Sequence, residues 1–238
     1  MPVTSRTPLL TGPQIQALDT LGYTKVLSCL SSNGYAAPGS AVGSHSHVWK
    51  VEKPTGPGEP EPATPMVAVA KFWKRGHAKL RVSQEAYLGA AAKANITCVP
   101  RVIASVSNCT LMTLCEGVTL DHFAAGVAAA PQDYTVDGID RLIVGWTAAM
   151  HEFTKARLFN DDMHDGNVMV DYPRRLVWVI DPFKARSKHF SDDGRAVLRM
   201  LLRCAVVVAV HHTQSGPAKD IEWARDRPVE YVDWNQVS

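Results

Sequence analysis

Residues 159–183, reading FNDDMHDGNVMVDYPRRLVWVIDPF, constrain this chain more than any other stretch. Three oxygen-bearing side chains, Asp162, Asn167 and Asp181, flank two short apolar runs at residues 168–170 and 176–180. The second run is β-branched and aromatic, and Tyr172-Pro173-Arg174-Arg175 between the runs carries a turn signature, so the segment reads as a β-hairpin. A hairpin returns Asp181 to the loop that opens it, so side chains distant in sequence come to share one site. Oxygen-bearing side chains brought together in this way suit one shared Mg ion, a hard cation that takes oxygen ligands.

The chain ahead of the hairpin alternates between helical and extended patterns. Ile15, Leu18 and Leu21 fall at roughly helical spacing, and the chain turns β-like at Lys25–Leu30. Residues 31–46 are rich in Gly and Ser and lead into His47-Val48-Trp49-Lys50-Val51-Glu52, which alternates as a half-buried strand does. Gly39 and Gly43 in that loop let backbone N–H groups approach phosphates closely. Their spacing is not GxGxxG, and loops of small residues commonly do no more than turn. The proline-rich residues 54–65 form a surface excursion.

Met66–Trp73 then reads as a compact strand with one lysine, Lys71, in an apolar run. That lysine either snorkels to water from a sheet edge or meets a negative partner, because burying an unpaired ammonium is costly. A helix over residues 81–94 carries Glu85, which a strand-then-helix return brings toward Lys71 as an ion pair. The alternative is a glutamate that only favours the helix dipole. Two more strands, 99–106 and 108–115, complete a mainly antiparallel sheet with one helix.

After Gly117 the pattern becomes helical. Residues 119–130 read as a short helix and 131–137 as a loop. The strongest amphipathic helix follows, with Ile139, Leu142, Ile143, Trp146, Met150 and Phe153 on one face and Asp137 as its N-cap. Beyond the hairpin, Asp192 and Asp193 precede a helix over residues 194–210 whose Arg195, Arg199 and Arg203 stripe is read as a solvated face rather than an anion site. The polar residues 213–238, with Trp223 and Trp234, are either a docked tail or partly disordered.

Composition narrows the function classes. At 238 residues, 46% hydrophobic and 20% charged, the chain is globular and long enough for one large domain or two lobes; two lobes are expected. A net charge of +2 gives no electrostatic case for a nucleic-acid partner. Five cysteines, Cys29, Cys98, Cys109, Cys115 and Cys204, form no CxxC pair and lie in or beside apolar stretches, as buried free thiols of a reducing compartment do. The N-terminal MPVTSRTPLLTGPQ lacks the basic leader and apolar core of a Sec-type signal peptide, and its Ser/Thr/Pro content suits either a frayed terminus or a flexible export signal. The longest apolar tract, 196–210, is interrupted by Arg199 and Arg203 and is too short to span a membrane, so a soluble protein is expected.

In order, these elements are a small-residue loop, AVAK ending at Lys71, Glu85 on a helix, the LMTLCEG strand, a long helix, D-x4-N at Asp162 and Asn167, and a strand ending at Asp181. Over roughly residues 35–210 this order resembles the protein-kinase-like superfamily. The resemblance implies an α+β, two-lobed fold with a mainly antiparallel N-lobe sheet plus one helix, and a reduced, mainly helical C-lobe. The corresponding division is a flexible or helical extension over 1–24, the N-lobe over 25–117, the C-lobe over 118–212 and a tail over 213–238.

It also implies ATP and Mg as cofactors and a role for each site residue. Lys71 would meet the nucleotide's α- and β-phosphates, held by Glu85, and Gly39 and Gly43 would border them. Asp162 would accept the substrate hydroxyl's proton, and Asn167 and Asp181 would bind Mg. Met112 would border the adenine pocket, with Thr113, Leu114 and Cys115 forming the hinge whose backbone bonds adenine.

Departures from the family pattern direct the functional reading. Asn160 stands where many protein kinases have histidine, and His164 where they usually have lysine; DMHDGN is closer to the D-x-H-x-G-N of small-molecule kinases and of several compact bacterial effector kinases. Asp181-Pro182-Phe183 carries a proline whose fixed φ disfavours a large flip, no Ala-Pro-Glu follows, and the next helix begins soon after. Constitutive or partner-triggered activity is therefore expected.

The resemblance favours a minimal serine/threonine protein kinase of the NleH, OspG and HopBF effector types, acting on a host protein. Such a protein would be cytoplasmic, or exported into a host cell without a Sec-type signal. A small-molecule kinase is the alternative that His164 supports, although few residues follow Gly194 to build an acceptor pocket. A pseudokinase acting as a binding module is the third reading, which the presence of Lys71, Asp162, Asn167 and Asp181 disfavours.

Overall fold

The computed structural model describes residues 10–30, 46–54, 66–158, 160, 162–182 and 192–215. Gly39 and Gly43, the prolines of 57–65, Phe183 and the tail beyond Ser215 lie outside the described residues. The fold is α+β, and the chain separates into two compact units: residues 1–89 with 100–114, and residues 90–99 with 115–238.

The first unit is built on a five-stranded antiparallel sheet. Helix α1 (Gly12–Leu21) precedes β1 (Lys25–Leu30), β2 (Ser46–Lys53) and β3 (Met66–Trp73); helix α2 (Ala78–Lys93) begins in this unit; β4 (Val102–Val106) and β5 (Cys109–Thr113) close it. The order is β1-β2-β3-β5-β4, which makes β3 the central strand. Alternation along the strands sets two faces. Trp49 and Val51, then Ala68, Ala70 and Phe72, then Cys109 and Leu111 form a core with Ala17 and Leu18 of α1. Lys71 and Trp73 alternate with those β3 residues and so project from the opposite face, which Gln84 of α2 reaches.

Several boundaries differ from the sequence reading. α2 begins at Ala78, a turn earlier than expected, directly after Gly76 takes φ +91° and turns the chain out of β3. β4 is shorter than residues 99–106 because Val99 and Pro100 are buried without joining the ladder, and proline has no N–H to offer it.

Among the described residues, the second unit carries helices and a small antiparallel sheet. Its elements are β6 (Val118–Thr119), α3 (Leu120–Ala129), α4 (Val136–Lys155), β7 (Val168–Asp171), β8 (Leu176–Val179) and α5 (Asp192–Ser215), with sheet order β6-β7-β8. The apolar face read from α4 is buried throughout, from Ile139 to Phe153. Its N-cap is Thr135 rather than Asp137: the Thr135 hydroxyl accepts the Gly138 N–H at 3.0 Å. Asp137 lies inside the first turn, where its charge favours the dipole.

Trp146 of α4 donates its indole N–H to the Gly194 carbonyl of α5 at 3.1 Å. One side of α5, including Val197, Leu201, Cys204 and Val208, is buried, while Arg195, Arg199 and Arg203 are exposed. Its Gly194–Thr213 stretch exceeds the apolar tract expected and is long and apolar enough to cross a membrane by length and composition.

The hairpin is held at both ends. Gly117, at φ +121°, lies so close to β7 that a Cβ there would overlap the Val170 carbonyl. At the turn, the Tyr172 hydroxyl accepts the Thr135 N–H at 2.8 Å, and Tyr172 packs with Phe123 and Tyr134 at ring separations of 5.8 and 4.9 Å. Cys98, Cys109, Cys115 and Cys204 are free thiols.

Candidate functional site

The loop between α4 and β7 is organised by side chains bonding their own backbone. Asn160, fully buried, accepts the Asp162 N–H on its Oδ1 at 3.1 Å, an Asx-type turn that fixes where Asp162 leaves the chain. Met163, also fully buried, anchors the next residue in the core. His164 Nδ1 and Asp165 Oδ1 both accept the Gly166 N–H, at 3.1 and 3.0 Å, and a single 3-10 turn, Asp165–Asn167, carries the chain into β7. Because Nδ1 accepts, the neutral His164 ring carries its proton on Nε2, which lies 3.8 Å from Asp162 Oδ1.

Asn167 links the loop to the hairpin. It is 8% exposed, and its Nδ2 donates to both the Asp162 main-chain carbonyl, at 2.9 Å, and Asp162 Oδ2, at 3.0 Å. With both amide hydrogens committed, the orientation of the group is set and Oδ1 is left as an acceptor. The Asp162 carboxylate is about half exposed, so it is oriented yet open to solvent.

The expected hairpin is present, with Val168 paired to Val179 and Asp171 to Leu176. Ile180 donates its N–H to the Asn167 carbonyl at 2.9 Å, which brings the next residue, Asp181, to the end of the loop. Asp162, Asn167 and Asp181 are thus gathered by local structure within the second unit. The donor set fits Mg: Asn167 Oδ1 accepts no hydrogen bond among the described residues, and Asp181 adds a carboxylate. No group of three or more His, Cys, Asp or Glu side chains is arranged for a metal among the described residues. A two-ligand Mg site completed by phosphate and water has no need of one.

Lys71 in the first unit is neither an edge lysine nor paired with Glu85. It sits on the central strand and is 4% exposed. Its ammonium donates to Gln84 Oε1 at 3.1 Å and lies 4.3 Å from the centre of the Trp73 ring. Glu85 instead accepts the hydroxyls of Ser105 and Thr110, each at 2.6 Å, and lies 4.0 Å from Arg81. The physical reason is angular: successive helical side chains point about 100° apart, so only one of this pair can face Lys71. Gln84, the fully buried one, does so.

The segment expected to hold adenine is only partly suited to it. Met112 is buried on β5. The Thr113 N–H is donated to the Arg101 carbonyl at 2.9 Å and the Thr113 hydroxyl accepts the Arg101 N–H at 2.9 Å, so the Thr113 N–H is already used. Among the expected hinge residues this leaves Leu114 and Cys115 to supply N–H groups. Burial pushes the Cys115 thiol up to about 12, with the nearby Cys98 adding to the shift, so it is an apolar wall rather than a nucleophile.

Gln84 and the Asx role of Asn160 were not drawn from the sequence; an Asn two residues before Asp162 was the available signal for the second. No protein-family model and no curated protein matches this chain.

Proposed function

We propose that this chain is an ATP- and Mg-dependent phosphotransferase acting on hydroxyl acceptors, within a two-lobed protein-kinase-like fold. The observation that carries the reading is the double hydrogen bond from Asn167 Nδ2 to the carbonyl and carboxylate of Asp162. It aims a half-exposed carboxylate while leaving the amide oxygen for a cation, so base and metal ligand are positioned by one group. In this reading Asp162 orients the acceptor hydroxyl and takes its proton, and Asn167 and Asp181 hold the metal. Mg, when bound, neutralises phosphate charge. Lys71 supplies a buried ammonium for the phosphates, placed by Gln84.

The acceptor class proposed is protein, with serine or threonine as the phosphorylated residue. The resemblance to compact effector kinases extends the proposal to a host protein, reached by export without a Sec-type signal. A small-molecule acceptor is favoured by one observation, the His164 ring lying against Asp162 in place of a lysine. Purified protein incubated with γ-labelled ATP and Mg, with cell lysate in one arm and aminoglycosides and sugars in another, separates the readings. Label in protein bands supports the protein acceptor; label confined to small products supports the second reading; label in neither, with no Mg-dependent nucleotide binding, overturns both.

A further inference from the structure

Beside the loop that carries Asp162 lies a half-open cavity of about 210 Å³. Fully buried Leu120 and Met163 contribute to its apolar lining, Ala196 and Met200 of α5 also line it, and His164 and Asp165 supply its polar part. The His164 ring that borders the cavity also faces Asp162 Oδ1 at 3.8 Å, so the cavity lies next to the carboxylate assigned as base.

Its size and chemistry select an occupant. Cavities that enclose a drug-sized molecule run to about 300–1,000 Å³, so this one takes a single side chain and is too small for a multi-ring aminosugar. Its interior offers apolar contact, whereas a sugar presents hydroxyls around its whole perimeter. Asp165 is half exposed and commits Oδ1 to the Gly166 N–H, which leaves acceptor capacity at the rim. An aliphatic side chain with an N–H donor at its base is what a residue of a polypeptide presents.

We propose that this cavity is an acceptor subsite that binds an aliphatic side chain, leucine or methionine, within two or three residues of the hydroxyl to be phosphorylated, with Asp165 accepting a main-chain N–H of the same peptide. The proposal rests on the phosphotransferase reading for its role and on the cavity alone for its ligand. It makes the acceptor a polypeptide with a local sequence preference.

Two measurements test it. In a positional-scanning library of serine peptides with γ-labelled ATP and Mg, one position near the serine is expected to select leucine or methionine about tenfold over glycine or aspartate. Ala196→Phe, at an exposed helical position that fills the cavity, is expected to shift selection there to alanine or glycine. Transfer with no such selection, or with a selection Ala196→Phe leaves unchanged, overturns the subsite.

The cavity is also read without transfer, from ¹³C-methyl spectra of Met163 and Met200 titrated with N-acetyl-leucinamide. Saturable shifts of both methyls that Ala196→Phe abolishes are expected, and unmoved methyls overturn the subsite. Saturable shifts in a protein that transfers no phosphate to any peptide uphold the aliphatic cavity and overturn the protein-acceptor reading.

Discussion

Asn167 donates two hydrogen bonds to Asp162, one to its carbonyl at 2.9 Å and one to its carboxylate at 3.0 Å, and so ties the loop's carboxylate to the first residue ahead of β7. Asn167→Ala removes both bonds together with the amide oxygen proposed as a metal ligand. Transfer is expected to fall by about 100-fold and the Mg concentration needed for half-maximal rate to rise. Asn160→Ala removes the acceptor of the Asp162 N–H and is expected to lower kcat by about 10–100-fold with little change in Mg dependence. Rates measured across an Mg series check both.

Lys71 is held by Gln84, so the effects of the two neighbouring helix substitutions should divide. Gln84→Leu deletes the amide oxygen 3.1 Å from a buried ammonium, and a loss of about 1–3 kcal/mol in stability together with weaker nucleotide binding is expected. Glu85→Ala leaves that hydrogen bond in place and strips the acceptor from Ser105 and Thr110; stability should fall while nucleotide affinity is largely kept. Urea unfolding and titration with a fluorescent ATP analogue separate the effects.

Two glycines are predicted to respond with opposite signs. Gly117→Ala places a Cβ against the Val170 carbonyl at φ +121° and should cost at least about 1–3 kcal/mol. Gly89 lies in α2, exposed, with nothing within 4 Å of a built Cβ, and Gly89→Ala should stabilise by up to about 1 kcal/mol. Thermal unfolding of the pair is the check.

Burial raises the thiols of Cys98, Cys109 and Cys115 from 9.0 to about 12 and that of Cys204 to about 11. A raised folded value keeps the proton on in the native state after the unfolded thiol has lost it. The associated stability is therefore complete below pH 9 and is lost as pH rises from 9 toward 11 to 12. Native protein at pH 8 is expected to alkylate at Cys98, Cys109 and Cys115 about a thousandfold more slowly than unfolded protein, by residue-resolved mass spectrometry.

Features set by local patterning were the legible ones. The apolar stripe of α4 and the alternation of β2 specify their faces whatever surrounds them, and the Tyr172–Arg175 turn between two apolar runs specifies a hairpin. That hairpin carried Asp162, Asn167 and Asp181 with it. The edge position that the pattern left open for Lys71 is excluded only by strand order, which is a property of the whole sheet: β5 pairs with β3 after the chain has passed through α2.

Gln84 and Glu85 could not be told apart for a related reason. α2 starts a turn earlier than its pattern suggested, and helix phase decides which side chain faces the sheet. Thr135 and Asp137 are both good N-cap types, and the choice fell to the residue whose hydroxyl meets the Gly138 N–H.

The central claim is that Asp162 serves as base in phosphoryl transfer, and Asp162→Asn tests it most directly. Asparagine keeps a carbonyl oxygen for Asn167 but cannot take a proton at neutral pH. The measurement is transfer of γ-label to protein by wild type and Asp162→Asn, with Mg-dependent ATP binding measured on the same samples. Transfer abolished while ATP binding survives is the predicted result. Turnover retained by Asp162→Asn would contradict the account.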